Sequence, residues 1–449
     1  MLDIKFIREN EEKIKDVIVK KGIDLDLGFL LSVDKQRIVL LQELEQLSAL
    51  KNDLNEMIKT AKDDNERKEI IEKGKEIKND IEKKEPEYKK IKQQFEDLMV
   101  KVPNVISFDT PIGKSDADNV EVERDGDIPK FDFEVKDHIQ LGKSLDILDL
   151  EKGTKVAGFR GYYMKNEGAS LMMALMMYAM NKLIEKGYSP MIPPTLVKGD
   201  ALFGTGYFKG REYDSEIDEV YEIASGDSPI AEQGKEADGK ASKEKKFLVG
   251  TAEPSLLAYY CDEILKEEQL PIKIVGYSQC YRSEIGSYGK DTKGLYRVHE
   301  FMKVEQVVLM AANEEESINM HEEMFAISKE IHKELGLPYR VLKICSGDMS
   351  AGKYRAYDIE AWMPSRDGFG ETGSASNFLD WQARRLNVKY VDKAGEKKHV
   401  YMLNNTVLPS PRPFIAILEN FQQADGSVII PEVLRKYMPG NIEIIVSKK

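Results

Sequence analysis

From about Asp34 onward, apolar residues recur mainly in steps of three and four: Leu40, Leu47, Leu50, Leu54, Met57 and Ala61. Asp63-Asp64-Asn65 interrupts the pattern, which resumes at Ile70, Ile77, Ile81, Tyr88, Ile91, Phe95, Leu98 and Val102. Two helical stripes joined by a short polar turn predict an antiparallel helical hairpin. Helices of about 27–35 residues would run roughly 40–50 Å at about 1.5 Å per residue. That is longer than packing on a small domain needs, so the hairpin is expected to project as an arm. Ahead of it, Ile4, Ile7, Ile14, Val17 and Ile18 mark a shorter helical stripe over 3–21, with Gly22 as a stop.

Pro103-Asn104 closes the arm, which divides the chain into 1–104 and 105–449. Residues 105–135 are polar and turn-rich and read as a linker. Ala169 to Lys186 is an apolar, Met-rich helix, and Pro193-Pro194 ends the strand that follows. Residues 224–246 are small, polar and aperiodic, as expected of a surface excursion at a hairpin tip. Gly250-Thr251-Ala252-Glu253-Pro254 opens an expected helix over 255–265. Two alternating stretches around Gly286–Gly294 predict a long β-hairpin, with Arg297, His299, Phe301, Lys303 and Glu305 on one face of its second strand. Glu314–Leu335 reads as a helix and Tyr357–Trp362 as a strand. Gly368–Asn377 reads as a Gly/Ser turn bearing Glu371, and Phe414–Leu418 as a helix just after Arg412.

The charged hairpin face has two readings. It is either a solvated strand with cross-strand ion pairs or a rigid surface holding a phosphate, an ammonium and a base. Thr251 and Glu253 likewise fit either a helix cap or ligands for an ammonium group. The arm by itself fits a structural or dimerising coiled coil as readily as a binding element.

Charge and composition narrow the field. Net charge is −13, which argues against general affinity for nucleic acid. Residues 35–101, however, hold 16 basic and 16 acidic residues, so the arm is electroneutral and the rest carries the deficit. The three cysteines and five histidines are scattered, without zinc-ligand spacing or a disulfide framework. The apolar run Leu171–Met180 is too short to cross a bilayer. No P-loop string is present and no GxGxxG opens a predicted helix, so neither common nucleotide fold is expected. A cytoplasmic protein is expected, with no membrane partner.

Four stretches, in order, resemble one family. CYRSEIGSYGKDTKGLYRVHEFMKVEQVV (280–308) resembles motif 2 of the class II aminoacyl-tRNA synthetases, in the seryl-tRNA synthetase form. The helix over 169–186 with its following strand resembles motif 1. Thr251-Ala252-Glu253 resembles the TxE serine loop, and Leu403–Phe421 resembles motif 3. The resemblance implies an α+β fold: a helical-hairpin arm, then a catalytic domain on an antiparallel sheet flanked by helices.

It also implies a serine–tRNA ligase that uses ATP and Mg²⁺ and pairs as a homodimer through motif 1. Its arm would grip tRNA(Ser), with tRNA(Sec) left open as a second substrate. Residue by residue, Arg282 would bridge the α-phosphate and serine, and Arg412 would hold the γ-phosphate. Ser283, Glu284, Val298 (through its backbone) and Phe301 would contact ATP. Glu371, Thr372, Gly373 and Ser374 would line the nucleotide, with Glu371 and Ser374 toward Mg²⁺. Thr251, Ala252, Glu253, Glu305 and Thr406 would enclose L-serine. No zinc site is expected. Motif 3 departs from the glycine-rich pattern, since Pro409, Pro411 and Pro413 bracket Arg412 and should stiffen its approach. A carrier-protein ligase would lack the arm, and a non-catalytic relative would lack an arginine at 282 or 412.

Overall fold

The computed structural model describes residues 1–224, 245–285 and 293–447. The expected excursion (225–244) and most of the central hairpin loop (286–292) lie outside the described residues. The chain forms two compact units, Leu2–Pro103 and Asn104–Lys449, the latter together with Met1.

In the first unit, two short helices, Ile4–Glu9 and Glu11–Lys20, precede α1 (Leu27–Thr60) and α2 (Asp64–Lys101). The polar break works as a cap: the Asp63 carboxylate accepts from the backbone N–H of Asn65 and Glu66 and starts α2. The helices have 34 and 38 residues, and the second, which is longer than expected, carries Pro86 inside it. The shared seam steps through Leu40, Leu44, Leu47, Leu54 and Ile58 on α1 and Ile77, Ile81, Tyr88, Ile91, Phe95 and Leu98 on α2. Leu50 and Met57, expected on the stripe, are about half exposed. They lie off the seven-residue repeat and so turn away from the seam. Lys21 and Asp34 are buried here; Asp34 takes Arg8 and Arg37, and the Arg37 guanidinium lies 4.6 Å over the Phe95 ring.

The second unit is built on an eight-stranded sheet. In chain order its strands are β1 (Val120–Asp125), β2 (Ser189–Met191), β3 (Ile272–Tyr281), β4 (Glu300–Met310), β5 (Tyr339–Lys343), β6 (Arg355–Met363), β7 (Gly368–Asn377) and β8 (Tyr401–Pro409). Their spatial order is β1-β5-β6-β7-β8-β4-β3-β2, antiparallel throughout except for β2 against β3. β1 lies within the expected linker. Helices α3 (Asn166–Glu185), α5 (Glu314–Glu334) and α7 (Pro411–Asn420) contribute Leu171, Leu175, Ile331 and Ile417 to the main core. Two further helices, α4 (Glu253–Ala258) and α6 (Trp381–Arg385), contribute Leu256, Leu257 and Ala383 to a second apolar cluster. Among the described residues, no helix is long and apolar enough to cross a membrane.

Three local expectations are corrected. Gly368–Asn377 is an interior strand, not a turn. A Cβ at Gly373 would sit 2.7 Å from the Thr406 carbonyl oxygen and 2.9 Å from Ile359, so the glycine serves close strand packing. The helix after Thr251 ends at Ala258 rather than 265, and Ile264–Lys266 is a short strand. The return strand β4 begins at Glu300, which leaves Arg297, Val298 and His299 in irregular backbone ahead of it.

Candidate active site

Strand register assembles the site. Asp358 pairs with Ser374, Ser374 with Thr406, Thr406 with Glu305, and Glu305 with Gly276. This cross-strand row spans five strands, and directly opposed residues share a face. Two β-bulges adjoin it. Thr372 is extra in β7 relative to β6, so Glu371 and Ser374 both reach the cavity despite their odd spacing. Val407 is extra in β8 relative to β4, so Thr406 and Pro409 stand opposite Glu305 and Lys303 and both line the cavity despite their odd spacing.

Above the row lies a cavity of about 950 Å³. Its lining includes Glu253, Arg282, Glu284, Val298, Phe301, Glu305, Glu371, Gly373, Ser374, Thr406 and Arg412. Thr251, Ala252, Ser283 and Thr372 do not line it. Thr251 stands directly behind, donating to Glu305 Oε2 at 3.0 Å, while the N-cap of α4 is Ala252 and no side chain caps the helix. Ala252 is packed against Gly276, where a Cβ would meet Leu256 at 2.7 Å. That missing side chain is what lets α4 settle beside Glu305. The Ser283 hydroxyl is buried without a hydrogen-bond partner among the described residues. Thr372, the bulge residue, turns to the opposite side, where its hydroxyl lies 2.7 Å from His332 Nε2.

Charge is distributed in two groups. At one end, Glu305 Oε2 accepts from Thr251 and Thr406 and lies 3.4 Å from the buried ammonium of Lys303, which also donates to Thr406 at 3.0 Å. The other Glu305 oxygen makes no hydrogen bond among the described residues. At the opposite end, Arg412 holds Glu371 at 2.9 Å and lies 4.5 Å over the Tyr296 ring. Burial works to raise the Glu371 pKa, but Arg412 beside it prevails and holds it below the usual range. Neighbouring Asp358 is pushed up to about 7 by burial and by the charge on Glu371. Pro411 is the first residue of α7, so Arg412 and Pro413 fill the rest of its opening turn. Backbone N–H groups there have no partner within the helix, so the prolines forfeit no helical bond and fix the arginine's base.

Between the two groups, Arg282 leaves the end of β3, with its backbone N–H on the His299 carbonyl at 2.9 Å. Its guanidinium carbon lies 5.6 Å from the Phe301 ring centroid. Among the described residues it has no carboxylate within ion-pair distance, so it is the cation available to an incoming anion. Glu284 is paired to Arg297 at 2.7 Å. The cavity also brings in residues outside the expected set, notably Tyr207, Tyr296, Lys303, Lys353 and Asn404. Lys303 was visible in the strand alternation. Tyr207 follows the Gly204-Thr205-Gly206 punctuation, and the others carry no local signal.

An antiparallel sheet carrying two arginines and a row of acids and hydroxyls, without a phosphate-binding glycine loop, defines a class II aminoacyl-tRNA synthetase core. A family model described as the tRNA synthetase class II core domain (G, H, P, S and T) matches residues 236–421. The seryl-tRNA synthetase N-terminal domain matches residues 1–106. The chain is 42% identical over 439 residues to the serine–tRNA ligase of Treponema denticola, covering 97% of this chain and 98% of that one. It is 37% identical to the Rubrobacter xylanophilus serine–tRNA ligase, covering 98% of each. The seryl-tRNA synthetase of Pyrococcus horikoshii, solved with ATP, superposes with a TM-score of 0.86 at 35% identity, covering 100% of both chains. The cytoplasmic enzyme of Naegleria fowleri, solved with AMP, gives 0.83 at 28% identity, covering 100% of this chain and 99% of that one. The chain belongs to the seryl-tRNA synthetase family. It is therefore an ATP-dependent aminoacyl-tRNA ligase acting on serine.

Proposed function

We propose that the cavity binds ATP and L-serine side by side and forms seryl-adenylate in the first half-reaction. The carrying observation is the five-strand row with Glu305 near one end, Glu371 farther along β7 with Arg412, and an Arg282 that has no ion-pair partner among the described residues. The serine carboxylate attacks the α-phosphorus, a new P–O bond forms, and the bond to pyrophosphate breaks. The carboxylate is already ionised, so no protein base is needed. Catalysis is positioning plus charge stabilisation. Arg282 bridges the α-phosphate and the carboxylate, and Arg412 holds the γ-phosphate end. Glu284 and Ser283 meet the adenine side, Phe301 stacks on the ring, and the backbones of Val298 and Thr372 supply polar contacts. Glu253 takes the ammonium. Thr251, Ala252 and Thr406 close the pocket, and the open oxygen of Glu305 accepts the serine hydroxyl.

The donors around Glu371 suit Mg²⁺, a hard cation that prefers oxygen. Glu371 and Ser374 face the cavity, and Asp358 beside them is a second carboxylate that a cation would relieve. When bound, Mg²⁺ would neutralise phosphate charge there.

In the second half-reaction the 3′-terminal hydroxyl of tRNA attacks the seryl carbonyl and AMP leaves. Residues 1–104 act as the tRNA-binding domain, gripping tRNA(Ser) and, by the same shape, tRNA(Sec). Residues 105–449 carry both chemical steps. The enzyme works as a cytoplasmic homodimer paired through α3 and β2, where Met173, Met177 and Ile184 are left exposed. ATP–pyrophosphate exchange with each amino acid in turn tests the site, and exchange independent of serine would reject it. Replacing 35–101 by a short bridge tests the division of labour: exchange should persist while tRNA charging collapses. Equal loss of both would reject it.

A further inference from the structure

We propose that Gln382 and Tyr207 are positioning residues that aim the Glu253 carboxylate at the substrate's ammonium group. The inference rests on the placement of that ammonium at Glu253 and extends it to side chains that no motif contains. Glu253 is 3% exposed and sits in the first turn of α4. Gln382, on α6 and fully buried, donates its amide to Glu253 Oε1 at 2.7 Å and to the Thr205 carbonyl at 3.1 Å. Tyr207 donates its hydroxyl to Glu253 Oε2 at 2.9 Å. Each carboxylate oxygen is thus held by a different donor, from different elements, which fixes both the plane and the tilt of the group.

The donors share one property: they are neutral. Among the described residues no Lys, Arg or His forms an ion pair with Glu253, so its buried negative charge has no directly bonded cation. Such a charge is costly unless a cation arrives, and here the cation comes with the substrate. The far end of Gln382 agrees, since its buried Oε1 has no hydrogen-bond partner among the described residues. Only its donor end is engaged, as a group placed to serve an anion requires. A cationic residue at 382 would instead neutralise Glu253 permanently and compete with the ammonium.

The charged and titratable groups facing Glu253 are Glu305 from β4, Arg282 after β3, and Tyr207 itself. Burial, then Glu305, raises the Glu253 pKa, while Gln382, Tyr207 and Asn404 oppose the rise. Protonation removes the charge that attracts the ammonium, so serine binding weakens as pH falls through that pKa. Removing a donor raises the pKa further and starts the weakening at higher pH.

The test compares Tyr207→Phe and Gln382→Met with Glu253→Gln in serine-dependent pyrophosphate exchange on the full chain. Losing a hydrogen bond to a charged group should raise the KM for serine by about tenfold or more, with kcat and the KM for ATP within about twofold. The acid limb of 1/KM for serine should move to higher pH in the Tyr207→Phe and Gln382→Met variants and vanish in Glu253→Gln. Gln382→Asn should recover little, being too short to reach. Tyr207→Phe keeps the ring, so it stays informative should the buried Gln382→Met fail to fold. If Glu253→Gln leaves the serine KM unchanged, the ammonium is bound elsewhere and both readings fall. If only Glu253→Gln acts, or if the KM for ATP rises in parallel, the positioning role alone is overturned.

Discussion

The arm and the active site handle charge in opposite ways. Along the arm, ion pairs such as Lys59–Glu56, Lys75–Glu72 and Lys78–Glu82 join neighbours three or four residues apart and stay largely exposed. Each contributes little, and one can replace another. In the active site, charges are singly placed: the buried Lys303 with Glu305, Arg412 with Glu371, and the buried Glu253 with no ion-pair partner among the described residues. The arm's charge is a property of a surface, whereas the site's charge is a property of individual atoms. Substitutions should therefore be graded by location rather than by chemistry.

The largest contrast lies in substrate choice. A pocket whose buried polar groups expect a hydroxyl should reject alanine relative to serine by roughly 10⁴-fold in kcat/KM. Threonine keeps the hydroxyl and should leak more, being excluded by shape alone. Comparable exchange with alanine and serine would mean that Glu305 does not read the hydroxyl. Next come the guanidiniums. Lysine keeps the charge of arginine but loses the planar fork. Arg282→Lys and Arg412→Lys should each lower exchange by about 10²-fold with an unchanged melting temperature. Near-normal exchange would make that arginine's role purely structural.

The third contrast is in pH. All five histidines lie after residue 104. Two of them, His321 and His332, are fully buried and pushed down to about 4 by burial, with Arg355 adding to the effect on His321. A folded pKa below the unfolded one of about 6.5 gives stability that is full above pH 6.5 and lost as pH falls toward 4. The expected loss by then is about 3 kcal/mol per histidine. Hydrogen exchange on the whole chain at pH 7 and pH 5.5 should find the catalytic unit softened and the arm little changed. Uniform softening would contradict it. The smallest effect concerns the arm: Lys75→Gln and Lys78→Gln should leave the melting temperature unchanged. If they meet phosphates, each should flatten the salt dependence of tRNA binding by about one in log–log slope. An unchanged slope would remove them from the RNA contact.

The same contrast governs what the sequence revealed. The arm repeats one local rule, so its two helices and the turn between them were legible, although the first begins at Leu27, well ahead of the expected start near Asp34, and the capping role of Asp63 was not. Only Leu50 and Met57 misled, because steps of three and four alone do not fix the phase of a seam. In the catalytic unit, strands with regular alternation, such as β6, were legible, and so were the arginines that stand in recognisable strings. The nature of β7 was hidden because Gly368–Asn377 is written in turn-forming residues whose small size serves neighbouring strands instead. Thr372 was grouped with Glu371 and Ser374 because the bulge that turns it away depends on pairing with β6. Gln382 was invisible for a related reason. It acts on a residue 129 positions away, and nothing nearby in the chain announces a buried amide.

The two extra residues, Thr372 and Val407, also bear on how the enzyme can be redesigned. Straightening either bulge with its residue kept would give its sheet a more regular ladder, the kind of change a procedure that rewards backbone pairing would favour. On the straightened strand Glu371 would face away from Ser374, or Thr406 away from Pro409, because a spacing of three then crosses to the other face. In this protein the better-formed sheet is the inactive one, and loop length can vary more safely than the length of these two strands.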